Sequence, residues 1–182
     1  KADLTRADLR GVNFTGARLS GIDLAKANLV GANLEAASLS GIDLAHADLS
    51  GVDLSGANLS NAILRGVNLD GSNLRRANLH LADLVKANLT NVHLAFADLT
   101  EAKLQGAKLQ GANLMATNLA GANLSNADLK NAILGYEDGA DLQLSILQGA
   151  DLSGVNLKYV KLQQVNLQGA NLQGANLQGA NL

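Results

Sequence analysis

Leucine recurs at every fifth residue along almost the whole chain. From Leu4 to Leu134 each step of five lands on Leu except at Phe14, over 27 consecutive units, and a second frame from Leu142 to Leu182 adds nine more. Around this central position the unit is regular. Two residues before it stands Ala in 24 of the 36 units and Val or Ile in nine; Ser72, Thr117 and Ser145 are the remainder. The residue just before the centre is Asp or Asn in 27 units, and 17 of the 19 glycines fall two residues after it.

A period of five excludes the ordinary elements. Five residues of α-helix turn through about 500°, so the leucines would spiral over every side. A strand alternates with period two, and a collagen helix needs period three and proline, of which there is none. The period suits a chain that bends once per unit. The central residue and the residue two before it then point inward, and the one between them points out, as in a short strand. Glycine two after the centre supplies a corner where φ is positive or a Cβ would be crowded.

Units such as ADLTR, ANLVG and ADLSG resemble the pentapeptide-repeat family, over about residues 1–134 and 140–182. That resemblance implies an all-β fold, a right-handed quadrilateral β-helix of about nine coils with four units each. At about 4.8 Å per coil the rod would be about 43 Å long. A 20-residue coil is also visible in the residues themselves. Asp3, Asp23, Asp43 and Asp83 recur at multiples of 20, and Arg6, Lys26, His46 and Lys86 follow three residues behind them; the coil with Ile63 in place of the acid has Gly66 in place of the base. Stacking of such coils makes stability a nearest-neighbour sum, and the outward Asn columns are placed to form amide ladders.

The organisation is therefore one β-helix in two frames, residues 1–134 and 140–182, separated by a break at 135–139. The break, within LGYEDGADL, carries the two glycines outside the corner position, Gly135 and Gly139. It reads as a bulge at one corner, with a recognition loop offering Tyr136, Glu137 and Asp138 as the functional alternative.

Chemistry is sparse. Without Cys there is no thiolate metal site or disulfide. A narrow rod filled with Leu leaves no catalytic pocket, and no phosphate-loop, dinucleotide, zinc-protease or nucleophile-elbow motif is found. His46, Asp48 and Ser50 in HADLS resemble triad ingredients only because Asp and Ser recur through the repeat. His46, His80 and His93 fall in different columns, against a shared metal. We expect no enzyme, cofactor or metal.

The function must then lie on the surface. One candidate is the acidic column Asp3, Asp23, Asp43 and Asp83, with Lys103 and Lys108 interrupting the acids further along by pairing with Asp83 and Asp128. The other is apolar: Phe96 and Met115 on neighbouring coils, with Leu81 close and Arg76 covering the Phe96 ring, and with Tyr136 as a further contact residue. The leading expectation is a non-enzymatic scaffold or interaction rod whose partner is another protein. Some pentapeptide-repeat proteins resemble a DNA duplex and protect a type II topoisomerase from quinolones, so a DNA mimic is the alternative; a spacer domain of a longer chain is a third reading. The net charge of −2 makes no electrostatic case for nucleic acid or membrane, and no apolar run reaches the roughly 20 residues of a spanning helix. With no targeting segment visible, a cytoplasmic location is the default. The chain begins in frame at KADL and ends in frame at Leu182. Open coils expose strand edges, so the expectation is a longer polypeptide or, failing that, end-to-end self-association through uncapped coils.

Overall fold

The computed structural model describes residues 4–24, 27–135 and 139–182. Among these the chain has no helix; it winds into a β-helix solenoid held by parallel single-residue bridges. Asn33 pairs with Asp53, Asp53 with Asn73 and Asn73 with His93, a constant step of 20 residues. Four five-residue units therefore complete each coil. Asp3, the first of the acidic column, lies outside the described residues.

The bonding of one unit explains its composition. In Ala57–Asn61 the Ala57 N–H closes a turn on Leu54 O at 3.0 Å, Asn58 N–H reaches back to Ala37 O at 2.9 Å, and Leu59 N–H reaches forward to Asn78 O at 2.7 Å. The corner Asn61 N–H donates to His80 O at 2.9 Å. The fifth donor, Ser60 N–H, has no backbone carbonyl and is accepted instead by Asn58 Oδ1 at 3.1 Å. The same bond from the residue after Leu to the Asx oxygen before it recurs at Glu35 on Asn33, Ser55 on Asp53 and Gln143 on Asp141. Asp and Asn are thus favoured here because they satisfy the one donor that coil stacking leaves over.

Corners adopt positive φ whatever residue occupies them: Gly51 at 65°, but also His46 at 61°, Arg76 at 59° and Phe96 at 63°. A positive φ at the third of four turn residues is the type II signature. Glycine is preferred there, and sixteen non-glycine residues among those described bear the strain because the bonds on either side hold the turn.

Inside, Leu54, Leu59, Leu64 and Leu69 have no exposed surface, and Ala57, Ala62 and Val67 lie between them. Each such Leu contributes roughly 1.5–3 kcal/mol of transfer free energy. The three polar residues at the inward position are buried but satisfied: Ser72 Oγ donates to Leu69 O at 2.6 Å, Ser145 Oγ to Leu142 O at 2.6 Å, and Thr117 Oγ1 to Leu94 O at 2.9 Å. Burial fades where a coil has a neighbour on one side only, with Leu177 37% and Leu182 80% exposed.

At the frame break the bridge step lengthens to 23, linking Asn118 to Asp141 and Ile133 to Asn156, and then returns to 20 with Asp141 to Lys161. Ala140 N–H closes on Leu134 O at 2.8 Å, a turn three residues longer than its neighbours. Leu134 and Leu142 both stay fully buried, so the core runs through. Tyr136, Glu137 and Asp138, the residues of the expected recognition loop, lie outside the described residues.

Candidate functional site

With the core closed, the variable chemistry sits on the four faces and corners. Two registers organise it. Face residues stack directly, and several make amide ladders: Asn88 Nδ2 donates to Asn68 Oδ1 at 2.9 Å, and Asn68 Nδ2 to Asp48 Oδ1 at 2.9 Å. Some residues at the first position of a turn, by contrast, lean onto the next coil and meet the face residue 18 positions later. Arg65 Nε thus donates to Asp83 Oδ2 at 2.7 Å, and Gln110 Nε2 to Asp128 Oδ2 at 2.7 Å. Across the lengthened coil Lys130 Nζ lies 2.9 Å from Asp151 Oδ2.

This lean corrects the expected ion pairs. Asp83 is bound by Arg65, not Lys103, and the side-chain bond that Asp128 accepts comes from Gln110, not Lys108. Asp83 and Lys103, register neighbours on a face, are joined through the backbone while the turn side chain of Arg65 takes the carboxylate; Lys161 and Asp141 do pair at the 20-residue step, Nζ lying 3.2 Å from Oδ2.

The acidic column is consequently discontinuous. Asp23 and Asp43 are exposed, Ile63 interrupts, Asp83 is half-buried against Arg65, and Lys103 follows. Asp43 Oδ1 also accepts Ala45 N–H at 3.0 Å, the structural bond made by its class. Elsewhere the acids are similarly engaged. The Lys130 ammonium, followed by the Ser153 hydroxyl and N–H, holds the Asp151 carboxyl down at about 2. Burial acts to raise Asp53, but the Ser55 hydroxyl and N–H and the Asn73 amide together bring it below its ordinary value.

His46, Asp48 and Ser50 do not assemble as a triad. Asp48 Oδ1 accepts Ser50 N–H at 3.1 Å, whereas the His46 ring lies over the Gly66 corner, where a Cβ would come within 2.6 Å of Nδ1. His80 sits on a different corner, with Nδ1 3.1 Å from Thr100 O, and His93 on a face. Among the described residues no group of three or more His, Cys, Asp or Glu is placed to hold a metal ion.

The apolar candidates divide. Phe96 N–H donates to Met115 O at 3.0 Å, so these two share a corner on adjacent coils. Phe96 is 49% exposed, and the Arg76 guanidinium lies 5.9 Å from its ring centroid, within cation–π range. Leu81 is exposed too, but its N–H pairs with Thr100 O. It therefore belongs to the next corner, with His80 and Glu101, and does not join the Phe96 patch.

The Phe96 corner is the most differentiated of the four. Along it follow Glu35–Ala36, Ser55–Gly56, Arg75–Arg76, Ala95–Phe96 and Met115–Ala116, linked by Ala36 N–H to Ser55 O, Gly56 N–H to Arg75 O and Arg76 N–H to Ala95 O. The frame break lies on the same corner, between Ile133, which pairs with Asn113, and Asp141, which pairs with Asn118. Tyr159 lies one coil further, between Asn156 and Lys161, and is 53% exposed. The small Ser55–Gly56 pair leaves an open groove of about 420 Å³, with Glu35 on one side and Arg75 and Arg76 on the other. The sequence reading missed this groove, although the 20-residue step alone aligns Glu35, Ser55 and Arg75.

A model of pentapeptide repeats matches residues 1–29, 27–66, 64–95, 97–135, 138–174 and 150–182. Among solved structures the chain is similar to HetL, a pentapeptide repeat protein involved in heterocyst differentiation regulation from the cyanobacterium Nostoc sp. strain PCC 7120. That match has 38% identity over 100% of this chain and 87% of HetL, with a TM-score of 0.49. It is also similar to QnrB1, a plasmid-mediated fluoroquinolone resistance protein, at 19% identity over 98% of this chain and 85% of that one, with a TM-score of 0.73. This second likeness is one of fold. No match was found among curated proteins.

Proposed function

The chain belongs to the pentapeptide-repeat family, and from that premise we propose that it is a non-enzymatic protein-interaction rod that binds its partner through side chains displayed on one corner. We take its coil as right-handed and quadrilateral with about nine turns, as the family resemblance implies. The observation that carries the functional reading is the contrast between corners. The corner of Gly11, Gly31, Gly51 and Gly71 holds only Gly or Asn at its positive-φ position, continuing through Asn91, Gly111, Asn131 and Gly154, whereas the Phe96 corner gathers two successive arginines, two exposed aromatic residues, Met115 and the frame break. Backbone donors are consumed in coil stacking, which leaves side chains as the means of recognition.

The test is photo-crosslinking in extracts of the organism that encodes the chain. A photoreactive residue replaces Phe96 or, in separate variants, a residue on each other corner. A discrete protein adduct from position 96, absent at the other corners, supports the reading; no protein adduct from any corner sinks it.

The alternative is a DNA mimic binding a type II topoisomerase, with Asp23, Asp43 and Asp83 as its acidic ladder. Ile63 breaks that ladder and Arg65 neutralises its last member, so we rank it second. Unaltered supercoiling by gyrase at micromolar protein agrees with that ranking. Inhibition, or protection from a fluoroquinolone, reverses it.

A further inference from the structure

Arg75 holds the turn position from which Arg65, Gln110 and Lys130 each reach an acid on the next coil. The lean that carries Arg65 to Asp83 and Gln110 to Asp128 directs Arg75 toward position 93, and that position is His93. The residue 18 positions after Glu35 is Asp53, another acid and so no ion-pair partner for it. Neither Arg75 nor Arg76 enters an ion pair with any described residue; Arg76 is occupied only by the Phe96 ring. The groove at Ser55–Gly56 therefore has an acidic lower wall and a cationic upper wall that do not neutralise each other, with an exposed aromatic ring directly beyond the cations.

We propose that this groove is a docking site for an acidic, apolar-anchored segment of a partner protein: a carboxylate seated on Arg75 and Arg76, with a neighbouring aliphatic or aromatic side chain against Phe96 and Met115. The proposal rests on the protein-interaction reading above and names the chemistry of its partner. Charge complementarity selects the occupant. Two arginines lining one groove offer forked donors to a carboxylate, and Glu35 across the groove repels a segment that is acidic throughout. The mode is side-chain capture, not strand addition. The corner N–H groups of Ala36, Gly56, Arg76 and Phe96 already bond to the next coil, so no donor row is offered to an added strand. A Cβ on Gly56 would meet nothing within 4 Å, so the space is open to a ligand.

The experiment selects from a phage-displayed library of random 12-residue peptides on the immobilised 182-residue chain, then measures synthetic copies by fluorescence polarisation. Enriched peptides are expected to place Asp or Glu beside Leu, Met, Phe or Trp. Their affinity should fall at least tenfold with Arg75→Glu/Arg76→Glu and with Ser55→Trp, which fills the groove. It should be unchanged by Ser125→Trp on another corner. Circular dichroism and unfolding midpoints check that each variant is folded. Basic or uncharged winners, or acidic winners that survive both groove variants, overturn the proposal. So does tighter binding of the same groove to duplex DNA or to phosphatidylserine vesicles. Peptides that are lost only on changes at another corner overturn this site while leaving the interaction rod intact. A selection with no enrichment, together with no adduct in the crosslinking test, removes both.

Discussion

A β-carbon placed on Gly135 would lie 2.3 Å from the backbone nitrogen of Lys158 and 2.4 Å from its carbonyl oxygen. Gly139, on the far side of the frame break, is equally confined, 2.5 Å from Tyr159 O. The break is flanked by two points where the next coil allows no side chain. Gly51 is different: a Cβ there meets nothing within 4 Å, and only its φ of 65° disfavours substitution. Gly51→Ala should therefore cost about 1–2 kcal/mol. Gly135→Ala, which must displace backbone, should cost more, about 3 kcal/mol or above. Chemical unfolding of the two variants checks the order, and a Gly135→Ala protein as stable as Gly51→Ala would contradict it.

Core truncation should depend on coil position. Leu94 has no exposed surface, and Leu94→Ala should cost about 2–5 kcal/mol through the cavity it leaves. Leu177 is 37% exposed in a terminal coil, so Leu177→Ala should cost well under half as much. Thermal unfolding of both distinguishes this gradient from a core equally tight throughout.

The Asx position should tolerate exchange within its class and not outside it. Asn123 Oδ1 accepts Ser125 N–H at 3.1 Å. Asn123→Ala should lose about 1 kcal/mol by stranding that donor, while Asn123→Asp keeps an acceptor oxygen and should stay near the parent. Equal losses in both variants would mean that the bond contributes nothing.

Much of the fold was legible because the constraints repeat. Leu and Ala mark the inside, Gly marks positive φ, and the Asp column reveals the 20-residue step. The role of Asp and Asn was harder to see, since a single outward acid reads as surface charge until the donor of the following residue is traced and found to have no other acceptor. The ion pairs were misassigned for a related reason. Asp83 and Lys103 are aligned by the coil step, but Arg65 reaches Asp83 through the lean of a turn side chain, which the coil step does not contain. Leu81 was drawn toward Phe96 by proximity in number; the corner to which each belongs separates them. Arg76 against Phe96 was legible, since both stand at corner positions one coil apart.

Acid should weaken the rod through Asp151. Its folded pKa, about 2, lies below the ordinary 3.8 because Lys130 and then Ser153 stabilise the charged form. A depressed carboxylate adds stability that is complete above the unfolded pKa and is lost as the pH falls through the folded one, here between about pH 4 and pH 2. Lys130→Met removes the principal partner. It should move the Asp151 titration, followed by carboxyl-carbon NMR, up toward the ordinary value and flatten the loss of stability in that window. An unmoved titration would show that the ion pair at 2.9 Å does not persist in solution.

The placement of every residue on its corner depends on the coil step, and above all on its change from 20 to 23 across the break. Since the chain has no Cys, an introduced pair reports its own geometry. Asn123 and Ile146 are bridge partners on adjacent coils, with a spacing of about 4.8 Å that suits a disulfide. Under mild oxidation Asn123→Cys/Ile146→Cys should crosslink within the monomer readily. Asn123→Cys/Gln143→Cys, matched to an uninterrupted 20-residue step, should stay reduced. The reverse result would contradict the register and, with it, the corner on which the proposed interaction surface is built.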